Sequence, residues 1–364
     1  MPRCMWIYRK SRESKLEESR RRISSAQSSK RFGFGLLLSA FCFLPCVLGL
    51  ATGWLYKVQE VKPNVFAWVS DDVLDLEGDP QFDRAGTAGF VVTSEGVVVI
   101  DTTNTPFHAR ELLYEIRHRS ELPVRYVIDT NSDGEQMLGN EVFTELQASV
   151  ICSTKAQEGI RQYRQMLIRR LDDDDGRLRN RMRGFHIPVP TQTFSGEMTL
   201  QLGGQAIKLT TLLRNGASDD SAVYLPAAKV LFLGELFQNG YFPRIESRDL
   251  HDWIGALRQV EAWNVDVYVP GHGDPGGKKE LADFRQFLEW LQKEVAVRSK
   301  EGKSLSQVKR EVDSLVENYR WHAPELIPEE VEAVYKQLGN TRSRGAALQP
   351  SAQAPLAEQQ AMRP

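Results

Sequence analysis

Cysteine is almost missing from most of this chain. Four occur in 364 residues, and Cys4, Cys42 and Cys46 fall near the N-terminus, leaving Cys152 alone in the remainder. With one thiol, that remainder can build neither an internal disulfide nor a cysteine-based zinc site. Histidine is scarce as well, at six residues. A surplus of either charge is also missing, since 46 Lys and Arg face 48 Asp and Glu. No collagen-like, mucin-like or wholly disordered bias is present: 41% hydrophobic and 26% charged residues are ordinary globular usage. The chain is long enough for a hydrophobic core to hold it together.

The balanced charge conceals an asymmetry. Residues 1–31 carry ten Lys and Arg and three Asp and Glu, a net of +7, which leaves −9 for the rest. An acidic main body excludes nucleic acid as a partner, because phosphates need a basic face. From Phe32 to Tyr56 there is no charge, and the run FGFGLLLSAFCFLPCVLGLA follows Arg20-Arg21-Arg22 and Lys30-Arg31. Roughly 20 apolar residues cross a bilayer. The basic flank predicts a cytoplasmic N-terminus and an exported remainder, extracytoplasmic and periplasmic if the source is bacterial. The run reads as a retained signal anchor or as a cleaved signal peptide, with Gly49 and Ala51 at −3 and −1 of a cut after Ala51. Phe41 and Pro45 precede Cys42 and Cys46, so lipid attachment is not expected. Four regions follow: a basic segment 1–31, a membrane segment 32–56, a globular domain 57–338 and a disordered tail 339–364 rich in Ala, Gln and Pro.

Within the domain, residues 57–66 read as a spacer. Strands are expected at Phe66–Ser70, Thr87–Thr93, Gly96–Ile100, Val124–Ile128 and Ser149–Cys152. Helices are expected over Pro106–Ser120 and Leu138–Glu145, and over a charged stretch 155–185 with the acidic run Asp172–Asp175, which reads as a solvated face because calcium-loop spacing is missing. A second strand-rich half is expected from Thr193-Phe194, through Met198–Leu202, Gln205–Leu212, Ser221–Leu225, Val230–Leu233 and Val265–Val269. A helix is expected at Leu250–Val260, and more helices over 278–338. Two strand-rich halves, each with helices, predict sheet packed on sheet with helices outside.

Polar residues gather at the predicted strand ends. Val97–Ile100 leads to Asp101. Val127-Ile128 leads to Asp129-Thr130-Asn131-Ser132-Asp133-Gly134-Glu135-Gln136. Gly216-Ala217-Ser218-Asp219-Asp220 precedes one strand, and Leu231-Phe232-Leu233-Gly234-Glu235 forms another. Val269-Pro270-Gly271-His272-Gly273 ends the last. In this order and spacing, these pieces resemble the metallo-β-lactamase superfamily over about residues 63–338. The resemblance implies an α/β fold, a four-layer αββα sandwich, with metals held between the sheets at strand ends and zinc-dependent hydrolysis as the usual activity. The family motif His-x-His-x-Asp-His falls on Asn131, Asp133, Glu135 and Gln136. A further His falls on Gly216, the bridging Asp on Glu235, and the last His on His272.

The resemblance therefore implies a degenerate site. Zinc wants about three imidazoles and an open position for water, whereas Asn131 and Gln136 are neutral amides and Gly216 offers nothing. Asp133, Glu135, Glu235 and His272 are the candidate metal ligands, with Asp133 and Glu135 the candidate catalytic groups. Asp219 or Asp220 is a further candidate to converge with them; oxygen donors of this kind suit Mg²⁺, Ca²⁺ or Mn²⁺ better than zinc. Alternatively the acids line a metal-free cleft, and His272 is a hydrogen-bonded turn residue. Asp101 either orients the site or caps the next segment. His108, His118, His186, His251 and His322 read as surface or packing residues, and Tyr241, Phe242 and Trp253 as packing or cleft-mouth residues. Three functions compete: a pseudoenzyme acting by binding a small molecule or protein, a hydrolase with a remodelled carboxylate-rich site for an ester or lactam, and an anchored interaction protein using the charged helix.

Overall fold

The computed structural model describes residues 56–70, 85–173, 185–213, 219–245, 248–317 and 319–347. The basic segment, nearly all of the apolar run, Gly216 and residues 348–364 lie outside these. Among the described residues no helix is long and apolar enough to cross a membrane.

Two sheets form the centre. One has seven strands in sequence order, from β1 (Tyr56–Lys62), β2 (Val65–Ser70), β3 (Ala88–Val92) and β4 (Val97–Ile100) to β5 (Val124–Ile128), β6 (Ser149–Ser153) and β7 (Gln192–Phe194). The other has five strands in the order β12-β11-β10-β9-β8, comprising β8 (Glu197–Leu202), β9 (Gln205–Thr211), β10 (Ser221–Leu225), β11 (Val230–Gln238) and β12 (Val267–His272). Side chains alternate between faces along a strand, and both faces here are apolar. Val65, Ala67, Val98, Ile100 and Ile128 face Ile207, Leu209, Val223, Phe232 and Val269 between the sheets.

The opposite faces are roofed by helices. Trp68, Phe90, Val99 and Val127 pack on Ala109, Leu112 and Ile116 of α1 (Pro106–Arg119). Thr105 caps α1 by accepting from His108 N–H, and Pro106 supplies a preset first turn. The short helices α2 (Gly134–Met137) and α3 (Asn140–Thr144) follow β5, and α4 (Thr154–Asp173) follows β6. On the other sheet, Leu231, Leu233 and Tyr268 pack beneath α5 (Leu250–Glu261), α6 (Lys278–Lys300), α7 (Leu305–Val316) and α8 (Ile327–Ala347). The layers are α, β, β, α, as the resemblance implied.

Some elements differ from the sequence-based expectation. The spacer is strand β1, and it begins at Tyr56, inside the stretch assigned to the membrane. β7 opens no second half: it pairs parallel with β6 in the first sheet. β11 and β12 run further than expected, β12 through Pro270-Gly271-His272. The helix at the C-terminus continues to Ala347, where a disordered tail was expected.

Candidate functional site

The centre lies where the parallel strands β4 and β5 of one sheet and β11 and β12 of the other run out. After β5 the chain turns through Asp129–Asp133 into α2, which carries Glu135 and Gln136. Asp101, at φ +57°, accepts from Thr130 N–H at 2.8 Å and from Thr130 Oγ1, fixing this turn. Asn140 Nδ2 donates to Asp129 at 2.8 Å. Across the interface, Glu235 lies within β11 and His272 ends β12 opposite Gln238. Glycine lets the pieces close. Gly234 has φ +50°, and a Cβ there would fall 2.3 Å from Thr130 Oγ1; a Cβ on Gly271 would fall 2.6 Å from Glu235 Oε1.

Three candidate ligands converge. Glu135, Glu235 and His272 are buried and offer atoms within 4.8 Å of one another, a group of a size to hold one ion. His272 Nε2 lies 2.7 Å from Glu135 Oε2 and 3.2 Å from Glu235 Oε1. Gln136 Nε2 donates to Glu235 Oε1 and Gln238 Nε2 to Glu235 Oε2, each at 2.7 Å. Asp133 does not join them. Its side chain is 56% exposed, and its Oδ2 lies 3.6 Å from Arg248 Nη2.

The remaining acids are met by cations that the sequence reading passed over. Arg248, 4% exposed, forks onto Asp220 with Nε–Oδ2 2.8 Å and Nη2–Oδ1 2.9 Å. Its guanidinium also lies 5.2 Å from the Trp253 ring centroid. Asn131 Nδ2 shares Asp220 Oδ1, and Asn131 Oδ1 accepts from Asp133 N–H. Arg244 Nη1 lies 2.6 Å from Glu135 Oε1. Arg244 and Arg248 lie in the connection between β11 and α5, and no motif in the sequence marks them.

Protonation follows from these pairs. Burial works against charge on His272, but Glu235 and Glu135 outweigh it and raise its pKa to about 9. Burial likewise opposes Glu235, yet His272 beside it holds the carboxyl well below its usual range. Burial also opposes charge on Arg248, and Asp220 reverses that, keeping it protonated. Burial lifts Asp101 to about 8 against its Thr130 hydrogen bonds. Burial raises Asp129 well above an ordinary Asp. Near neutrality the centre thus contains a His272 imidazolium beside an ionised Glu235, and two guanidiniums, whereas burial holds Asp101 and Asp129 towards the neutral acid.

The other candidates fall outside this centre. His108 is buried in α1 with Nδ1 2.7 Å from Asn104 Oδ1, and burial lowers its pKa to about 4. His118, His186, His251 and His322 are exposed. Trp253 is core, its Nε1 donating to Leu236 O. Tyr241 does reach the mouth, its ring 5.6 Å from that of His272 and 4.6 Å from that of His322. There an open recess of about 290 Å³ is lined by Asn239, Tyr241, Asp274, Arg320 and His322 among others. A second recess, about 340 Å³, is lined by Gln162, Gln165, Met166, Arg169 and Arg170 of α4 and shares no residue with the centre.

These donors do not fit the zinc pair of the fold family. Asn131 and Gln136 replace imidazoles, and their amides are committed to Asp220 and Glu235. Arg248 lies among the positions that would hold one metal, and Arg244 sits on an oxygen of the group that would hold the other. A four-layer αββα sandwich with carboxylates and a histidine at its strand ends defines a metallohydrolase-type fold. The chain belongs to the metallo-β-lactamase superfamily, whose family model matches residues 82–272.

Among curated relatives, linear primary-alkylsulfatase from Pseudomonas sp. is 24% identical over 222 residues, 52% of this chain and 42% of the relative. A metallo-β-lactamase type 2 from Bacteroides fragilis is 29% identical over 28% of this chain and 43% of its own. Another, from Elizabethkingia meningoseptica, is 24% identical over 60% and 79%. The chain thus spans less than half the length of the first two. A solved metallo-β-lactamase from Pontibacter korlensis aligns with TM-score 0.50 and 21% identity over 64% of this chain and 99% of that one, a likeness of fold.

Proposed function

We propose that this protein is an exported or membrane-anchored metallo-β-lactamase-fold pseudoenzyme that has lost zinc hydrolysis and acts by binding a small-molecule or protein ligand. One observation carries the reading: side-chain cations, Arg244 and Arg248, pair with the acids of the centre where metal ligands would be needed. Hydrolysis in this fold asks for a metal-activated water, and the donors that would support one are spent on internal bonds. The recess beside Tyr241 supplies a place for a ligand next to the centre. The +7 segment ahead of the uncharged run supports export through residues 32–56.

Metal analysis of the purified chain, paired with lactam, ester and alkyl sulfate hydrolysis assays, tests this. Substoichiometric zinc and no turnover are expected. Two zinc ions per chain with turnover would reject it. Export is tested separately, by protease added outside cells with an opened envelope; a fully protected domain rejects it.

The convergence of Glu135, Glu235 and His272 favours a second reading, a hydrolase with a carboxylate-rich site for Zn²⁺, Mn²⁺ or Mg²⁺ acting on an ester or lactam. It requires those ions to raise the melting temperature of the wild-type chain by linkage, and Glu235→Gln to abolish the rise.

A further inference from the structure

The arginines do not sit at the centre by accident of a flexible surface. Arg248 is buried between Asp220 and Trp253, and its Nη1 donates to Arg244 O at 3.0 Å, so the two residues are mutually placed. The segment that carries them is fastened to α8. Glu330, 2% exposed, accepts from Ile245 N–H, next to Arg244, at 2.5 Å. Gln337, seven residues later and so on the same helix face, donates to Arg248 O at 2.7 Å and accepts from Leu250 N–H at 3.1 Å. The Tyr241–His322 bridge fastens the start of the same segment, with His322 N–H donating to Gly240 O and Phe242 N–H to His322 O. Both α8 and His322 lie beyond the 82–272 stretch that matches the family model.

Positive charge and metal compete for the same carboxylates. A divalent ion entering the Glu135–Glu235–His272 group must displace the Arg244 cation from Glu135. An ion entering beside Asn131 and Asp133 would meet the Arg248 guanidinium.

Resting on the proposed loss of zinc hydrolysis, we infer that Arg244 and Arg248 are built-in cations that keep divalent metal out of the centre, and that α8 holds them there through Glu330 and Gln337. The residual Glu135–Glu235–His272 group is then a latent metal site, capped by Arg244 and opened by removing it.

The test measures zinc binding by the full chain against a chelating competitor, together with zinc-dependent melting. Arg244 is 40% exposed, so Arg244→Ala should fold. Arg244→Ala is expected to bind one zinc about tenfold more tightly than wild type, the effect of about 1.4 kcal/mol, and to melt higher when zinc is added. Adding Glu235→Gln should erase the gain. Arg244→Lys, which keeps the charge, should behave as wild type. Glu330→Ala should shift zinc uptake towards that of Arg244→Ala; wild-type behaviour there removes α8 from the inference. Stoichiometric zinc on the wild-type chain rejects the pseudoenzyme reading and this inference together. A wild-type chain and an Arg244→Ala chain that are equally zinc-free reject this inference alone.

Discussion

His272 shows how far single residues can be read. Its motif was legible in Pro-Gly-His-Gly, and so was its isolation, because Asn131, Gln136 and Gly216 carry no imidazole. Its partners were less legible. An ion pair across two sheets depends on register and on the closeness that Gly234 and Gly271 permit, neither of which a linear spacing reveals. The pairing makes His272 a titration sensor. Its folded pKa, about 9, lies above the usual 6.5, so the stabilisation is complete below about pH 6.5 and is lost as pH rises through 9. Asp101, raised to about 8, pulls in the same direction from lower pH upward, so it is the upper window that isolates His272. His272→Gln should therefore lose a few kcal/mol at pH 6 and converge on wild type by pH 10. Urea midpoints of both proteins across that range would show it; parallel curves would refute the assignment.

Arg248 is the counterpart that the sequence did not disclose. An arginine after a strand reads as surface, since Arg is rarely buried unless paired, and its partner Asp220 lies 28 residues away. Truncating one side of a buried pair leaves the other charge uncompensated and costs about 3–5 kcal/mol. Arg248→Met is expected to destabilise by that amount in equilibrium unfolding. Asp220→Asn combined with Arg248→Met should recover part of it, since both charges go together. Strictly additive losses would mean that the pair is not the source.

At the scale of elements, strands with one or two apolar faces were found close to their true limits: Val124–Ile128 and Ser221–Leu225 match to the residue. The misses have a common cause. β1, reading Tyr-Lys-Val-Gln-Glu-Val-Lys, is a half-exposed edge strand, and its charges serve an edge as well as they serve a linker. β7 buries only Phe194 of its three residues, so no pattern marks its sheet. β11 continues past Leu233 because Gly234 takes a left-handed φ and lets Glu235 turn inward without ending the strand. Gly234→Ala should cost about 1–3 kcal/mol from the backbone conformation alone, and more from the contact with Thr130. Thermal unfolding checks it; a neutral Gly234→Ala would show that Thr130 and the strand simply move apart.

The whole molecule turns on how its charges close. Fold class was legible because several weak motifs occur in one order, and no zinc-ligand count was needed for that. The site was half legible: the lost ligands could be named, whereas what replaced them depends on α8, far along the chain and outside the stretch shared with the family. A fold whose metals link its two sheets would lose stability when they are chelated, by the linkage that makes any ligand of the native state stabilising. Here Arg244–Glu135, His272–Glu135 and Gln136–Glu235 make such cross-connections with groups that no chelator removes. Excess EDTA is therefore expected to leave the melting temperature of the full chain unchanged. High salt should act only weakly on Arg248–Asp220, since buried pairs are screened far less than exposed ones. A clear drop in melting temperature on chelation, reversed by added zinc, would show instead that the two sheets are joined by an ion and that the arginines only adjoin it.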